Sequence, residues 1–333
     1  MNSTDTDLPA DPPRRLWIGR LLRVLNLLVL SGTLGFLGHY FWTQSPNWQF
    51  DDFHLNSGLL ITAAALTLIY QIYYAFGWVL TSRSAGIRMP VLPAMGIWGF
   101  SLFGKYLPGK IAVLAYRTLI LTLQQRAKPQ QVLLAWALES AASIIAGLAV
   151  LALSMTALGM RQLGVDITIE LLIGALAGIM LLAALGTYRP IRNLVFRLVR
   201  LESATDGVTW WAFNGLIFYY AGGWVLLGSI LWFLIGAIEM QAVTWQESIL
   251  VYSAAGISGM LTVIAPSGFG VRESVMVLLL SPHLAPAAAL AVSLLARVIA
   301  TLGDVFAMAA GYTVIKLLNL ESPPADAPGE ARA

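Results

Sequence analysis

Along this chain, apolar residues come in long unbroken runs rather than at helical or strand spacing, and short polar clusters separate the runs. A bilayer core is crossed by roughly 20 apolar residues in helix. Six runs meet that length: Val24 to about Trp42, Ser57–Leu80, Val132–Leu158, Ile169–Gly186, Trp211–Ile238 and Ala287–Leu317. The first follows Arg14, Arg15, Arg20 and Arg23 as a secretory leader would. It is long enough to span and no A-x-A-like cleavage site follows, so it reads as a transmembrane helix.

Two stretches break this count. Met89 to Gly104 and Ile111 to Leu123 are about 13 to 16 residues each, separated by GKYLPGK. Further on, Ile249 to Ala265 and Ser274 to Leu280 flank PSGFGVRE. Runs that short do not span, and the basic residues around the first pair lie at both of its outer ends. Each stretch therefore predicts a re-entrant helical hairpin. The expected fold is an all-α polytopic membrane protein with about six full transmembrane helices and two hairpins. Alternatively, each short run is a tilted full span, giving about ten helices. In that case the Pro and Gly breaks still need protein or water around them, because lipid satisfies no freed backbone group.

Loop charges orient the spans. Lys and Arg mark cytoplasmic loops. The N-terminus, Arg83 and Arg88, Arg126 and Lys128, and the loop with Arg189, Arg192, Arg197 and Arg200 fall on one side, while Asp51, Asp52, Glu239 and Glu247 fall on the other. Both termini come out cytoplasmic, and the hairpins enter from opposite faces. Hairpins in matching places with opposite sense predict an inverted-topology repeat, about 57–158 and about 209–318, inside a membrane domain of residues 15–320. Residues 1–14 form a polar cytoplasmic tail and 321–333 a disordered one. The separations Pro108 to Glu139 and Pro266 to Arg297 are both 31 residues, a supporting coincidence.

Composition agrees. Hydrophobic residues make up 58% of the 333, and charged residues 11% against roughly 25% in a soluble domain, so most of the surface faces lipid. The net charge of +3 records loop placement rather than affinity for nucleic acid. Cys is absent, which excludes disulfides, thiolate metal sites and cysteine nucleophiles. His39, His54 and His283 lie far apart, so no metal site and no cofactor is expected. No Ser/His/Asp, HExxH or paired-carboxylate arrangement and no P-loop is present, so neither hydrolysis nor ATP-driven pumping has residues to carry it. Gly174-x-x-x-Gly178 reads as close helix contact, and the Trp and Tyr residues near span ends as interfacial belts.

A charge at the centre of a membrane helix costs on the order of 2.5–3.5 kcal/mol, so each one needs a partner or a cavity. The intramembrane candidates are Lys105, Lys110, Arg117, Glu139, Arg272, Glu273, Arg297 and Asp304. In GKYLPGK, Pro108 and Gly109 permit a tight tip that presents helix N–H groups beside Lys105 and Lys110, with Arg117 two turns on. That combination suits a phosphate; snorkelling of both lysines to the interface is the plain alternative. In PSGFGVRE, Pro266, Gly268 and Gly270 precede Arg272 and Glu273, which suit a phosphate contact and a helix N-terminal countercharge, or a structural ion pair. Glu139 and Arg297 could meet as a buried pair between repeats, and Asp304, seven residues after Arg297, could be its partner or a proton-coupling carboxylate.

GKYLPGKIAVLAYR and APSGFGVRES resemble the two signature regions of the lysylphosphatidylglycerol synthase transmembrane (flippase-domain) family, with the similarity running from about Arg15 to Leu318. LLAWALES, with Glu139, and the Arg297 region are similar to that family's intramembrane charges. The resemblance implies translocation of an anionic or aminoacylated lipid across a bacterial inner membrane, with phosphate-headgroup lipids as partners. Family members with a soluble synthase domain carry it after the membrane domain, where this chain has the polar tail ESPPADAPGEARA, so synthesis of an aminoacyl lipid is not expected. Stand-alone relatives are linked to hopanoid or polyprenyl-linked lipids, which widens the cargo. A homo-oligomer, a role as accessory protein to a membrane glycosyltransferase or lipid synthase, and ion-coupled transport of a small solute are the alternatives.

Overall fold

The computed structural model describes residue 35 and residues 42–43, 55–106, 111–158, 209–239, 242–262 and 268–321. Among these residues the chain forms eight α-helices: α1 Ser57–Ser84, α2 Val91–Ser101, α3 Ile111–Leu123, α4 Pro129–Leu158, α5 Trp210–Ile238, α6 Trp245–Leu261, α7 Val271–Leu280 and α8 Pro286–Leu317. A 3₁₀ segment, Leu102–Tyr106, extends α2. The helices α1, α4, α5 and α8 are long and apolar enough to cross a membrane. They coincide with four of the six runs read from the sequence. The other two runs, about 24–42 and 169–186, lie outside the described residues apart from residues 35 and 42.

Local chemistry sets the ends of the helices. Asn56 and Thr209 cap α1 and α5, their side chains accepting the Leu59 and Ala212 N–H groups at 3.2 Å each. Thr244 and Glu247 form a capping box that starts α6 at Trp245, four residues before the apolar run itself begins. Pro286 opens α8, where its missing N–H costs nothing. Inside the spans, hydroxyls bond back to the carbonyl four residues earlier, as Thr67 does to Ala63 and Ser154 to Val150 at 2.8 Å. Lipid offers them no other partner.

Contacts between residues far apart in the chain fix how the helices run. The Asn56 N–H bonds the Ala237 carbonyl, and farther along Tyr73 stacks on Tyr219 with centroids 4.2 Å apart, so α1 and α5 are antiparallel. Helix α2 descends α8 in the opposite sense: Gly96 lies on Val314, Gly99 on the Ala307 carbonyl, and Tyr106 reaches Asp304. The chain then returns, because Gln124, just after α3, donates to the Leu320 carbonyl at 2.8 Å. The α2–α3 hairpin thus opens at the end of the bundle that holds Ser84. The α6–α7 hairpin opens at the other end, where the Trp245 indole bonds the Ser229 hydroxyl and Leu280 turns into α8. It runs inward past Trp224, which packs on Gly256, to a tip where Gly259 touches Gly268 backbone to backbone. The two hairpins therefore open at opposite ends of the bundle.

Candidate functional site

Lys105 and Arg272, near the inner ends of the two hairpins, come to one space near mid-length of the long helices. In the first hairpin, the 3₁₀ segment tightens the last turn so that Gly104 sits on the backbone of Ala112 and Val113, where a Cβ would be only 2.4 Å from the Val113 nitrogen. That turn projects Lys105 and Tyr106 inward. In the second, Gly268 and Gly270 take φ of +67° and +86°, open to glycine at little cost. The turn starts α7 with Arg272 and Glu273 in its first residues.

Between the tips lies a cavity of about 210 Å³, lined by Tyr70 and Tyr74 of α1, Ser143 of α4, Trp224 of α5, Tyr252 and Gly259 of α6, and one cation from each tip, Lys105 and Arg272. A smaller space of about 100 Å³ adjoins it, sharing Lys105, Arg272, Tyr70 and Tyr252 and adding Thr67, Gln71 and Asp304. The Arg272 guanidinium bonds the Tyr252 hydroxyl at 2.5 Å and lies 4.5 Å from the centre of its ring. No carboxylate of a described residue pairs with it. Asp304 holds the first tip: it pairs with Lys105, accepts from the Tyr106 hydroxyl at 2.5 Å, and accepts from Gln71 at 3.0 Å. The walls are pinned as well, since the Tyr74 hydroxyl bonds the Ser143 hydroxyl and the Trp224 indole bonds the Ser143 carbonyl, both at 2.8 Å.

Among the described residues, the remaining intramembrane charges are committed elsewhere. Arg117, 2% exposed, reaches Glu139 at 2.6 Å and the Ser101 hydroxyl at 2.9 Å, and stacks 4.1 Å above Trp78. Glu139 also accepts from the Trp98 indole at 3.1 Å. Glu273 accepts from the Gly270 N–H at 2.6 Å and pairs with Arg297 at 3.3 Å, and the Arg297 guanidinium lies 5.4 Å from the Phe269 ring centre.

Glu139 and Arg297 therefore do not meet, and Arg297 is not the partner that Asp304 takes. Each pairs instead with the opposite charge on the returning limb of the hairpin that precedes it, because that limb packs on the next long helix. Arg117 turns toward Glu139 and does not line the cavity. Pro108, Gly109, Lys110 and Pro266 lie outside the described residues.

Several site residues escaped the sequence reading. Tyr70, Tyr74, Tyr252, Trp224 and Gln71 sit at mid-span, and the aromatics among them are not interfacial belts. A usable signal exists on α1, where Ala63, Thr67, Gln71 and Ala75 recur every four residues and are buried, while Ile61, Ile69 and Ile72 face outward. Small and polar residues at helical spacing mark the inner face.

No described His, Asp or Glu cluster of three could hold a metal. Comparison with curated proteins finds no match. The family model described as "Lysylphosphatidylglycerol synthase TM region" matches residues 14–307. That match spans most of the chain and both hairpins, and with the helical membrane architecture it shows that the chain belongs to the lysylphosphatidylglycerol synthase transmembrane-region family.

Proposed function

We propose that this protein is a lipid translocase that binds a phosphate-bearing headgroup in the cavity between the hairpin tips and passes it between leaflets of a bacterial inner membrane. One observation carries the proposal: Lys105 and Arg272, from hairpins that open at opposite ends of the bundle, line a single mid-depth cavity. A cation at that depth is expensive, and a pair facing one space suits an anion that arrives there. The cavity is below the roughly 300–1,000 Å³ of sites that enclose a whole drug-sized ligand, so it suits a headgroup whose tails stay in the bilayer. The two hairpins act as re-entrant elements of inverted repeats, and rocking of one repeat against the other exposes the cavity to each side in turn. The Ser84 end, flanked by Arg83, Arg88, Arg126 and Lys128, faces the cytoplasm.

The test places purified protein in phosphatidylcholine liposomes with trace fluorescent phosphatidylglycerol and follows bleaching by an impermeant external quencher. Wild type accelerates loss of the inner-leaflet signal. A hydrogen bond to a charged group contributes about 1.5–3 kcal/mol, so Lys105→Ala and Arg272→Ala each slow it by about tenfold or more. Rates equal to protein-free liposomes, or variants as fast as wild type, refute the proposal.

A further inference from the structure

We infer that Asp304 is a built-in competitor for the cargo's phosphate, a carboxylate that pairs with Lys105 and is exchanged for the headgroup when it binds. This rests on the cavity reading above and specifies what sets its selectivity. Of the ion pairs among described residues, Lys105–Asp304 is the one bordering the cavities. The Arg117–Glu139 pair is sealed at 3% and 9% side-chain exposure and has further partners on both sides. Lys105, by contrast, is 28% exposed against 8% for Asp304. It sits on a flexible four-carbon stem in the 3₁₀ segment that ends α2.

The other partners of Asp304 make the exchange feasible. A buried carboxylate stripped of its only partner would be strongly disfavoured. Asp304 keeps the Tyr106 hydroxyl and the Gln71 amide when Lys105 leaves, so its charge stays hydrogen-bonded. Arg272 offers the arriving anion a first contact, since its described partner is a phenol rather than a carboxylate. Lys105 then swings from Asp304 to the phosphate while Tyr106 stays on Asp304. A fixed negative charge beside the phosphate also penalises a second charge on the headgroup, so Asp304 favours phosphodiesters over phosphomonoesters.

The test measures lipid binding to the full chain in phosphatidylcholine nanodiscs at about pH 8, where a phosphomonoester is mostly doubly charged. Phosphatidylglycerol and phosphatidic acid are the probes. Asp304→Asn tightens phosphatidylglycerol binding by about threefold to tenfold and phosphatidic acid binding by more, and adding Lys105→Met to it removes the gain. Asp304→Ser, which also lacks the carboxylate, repeats the measurement should Asn disturb folding. Binding that stays equal or weakens in both Asp304 variants, while Lys105→Met and Arg272→Ala still weaken it, overturns the competitor role and leaves the cavity standing. Binding unaffected by Lys105→Met and Arg272→Ala overturns the cavity itself.

Discussion

The buried Arg117 guanidinium bonds Ser101 through Nε and Glu139 through Nη1 and lies over the Trp78 ring, which is how a full charge stays inside a helical bundle in lipid. Removing one member of such a pair leaves the other uncompensated and costs about 3–5 kcal/mol, whereas replacing both by apolar residues of similar volume is often near neutral. Arg117→Met therefore lowers the melting temperature in detergent sharply, as does Glu139→Leu, and the double variant recovers most of the loss. Additive losses in the double variant would show that the two residues act separately. The same residues show what the sequence could and could not tell. Glu139 and Arg297 do occupy matching positions, each on the long helix after a hairpin. Their partners, Arg117 and Glu273, are 22 and 24 residues away, and the expectation that equivalent charges pair with each other ignored how closely a hairpin's returning limb packs on the next helix.

At the scale of elements, the α2–α8 seam depends on glycine. A Cβ at Gly311 would lie 2.4 Å from the Phe100 nitrogen, and one at Gly99 would lie 2.5 Å from the Ala307 carbonyl oxygen. Both obstacles are backbone, which cannot swing aside. Gly311→Val forces the helices apart at a cost of about 1–3 kcal/mol, and because α8 carries Asp304 and α2 leads to Lys105, it slows lipid flipping as well as lowering thermal stability. A variant with wild-type melting and wild-type flipping would mean the seam is looser than its geometry. The helices themselves were legible because apolar length is a strong signal: α3 begins and ends where the sequence placed it, and the four long helices agree to within a few residues. The start of α6 was missed because the apolar run begins at Ile249, although the Thr244-Trp245-Gln246-Glu247 capping box was there to read. Helix faces were harder, since lipid-facing and core-facing sides of a span are both apolar and the usual amphipathic contrast disappears.

Across the whole molecule, the two hairpins open at opposite ends of the bundle, and this has a direct topological reading. The chain lacks Cys, so single introduced thiols report without background. Arg88→Cys and Lys128→Cys, exposed around the base of the first hairpin, react with impermeant maleimide only after the cells are permeabilised. Gln246→Cys and Ser281→Cys, exposed around the second, react in intact cells. Labelling of Arg88→Cys and Lys128→Cys from opposite sides would make the first hairpin a full crossing and end the re-entrant proposal.

The site also draws its members from far apart in the chain: Gln71 and Asp304, hydrogen-bonded to each other, are 233 residues apart. Synthesis delivers the N-terminal part first. Lys105 and Glu273 are thus made before α8, the last of the described helices, which supplies both of their partners, Asp304 and Arg297. Until α8 inserts, the nascent protein holds two charges at membrane depth with their counterions still unmade, each a burden of a few kcal/mol. Relief of that burden and the arrival of Asp304 at the edge of the cavity are a single late event in biogenesis, the insertion of α8.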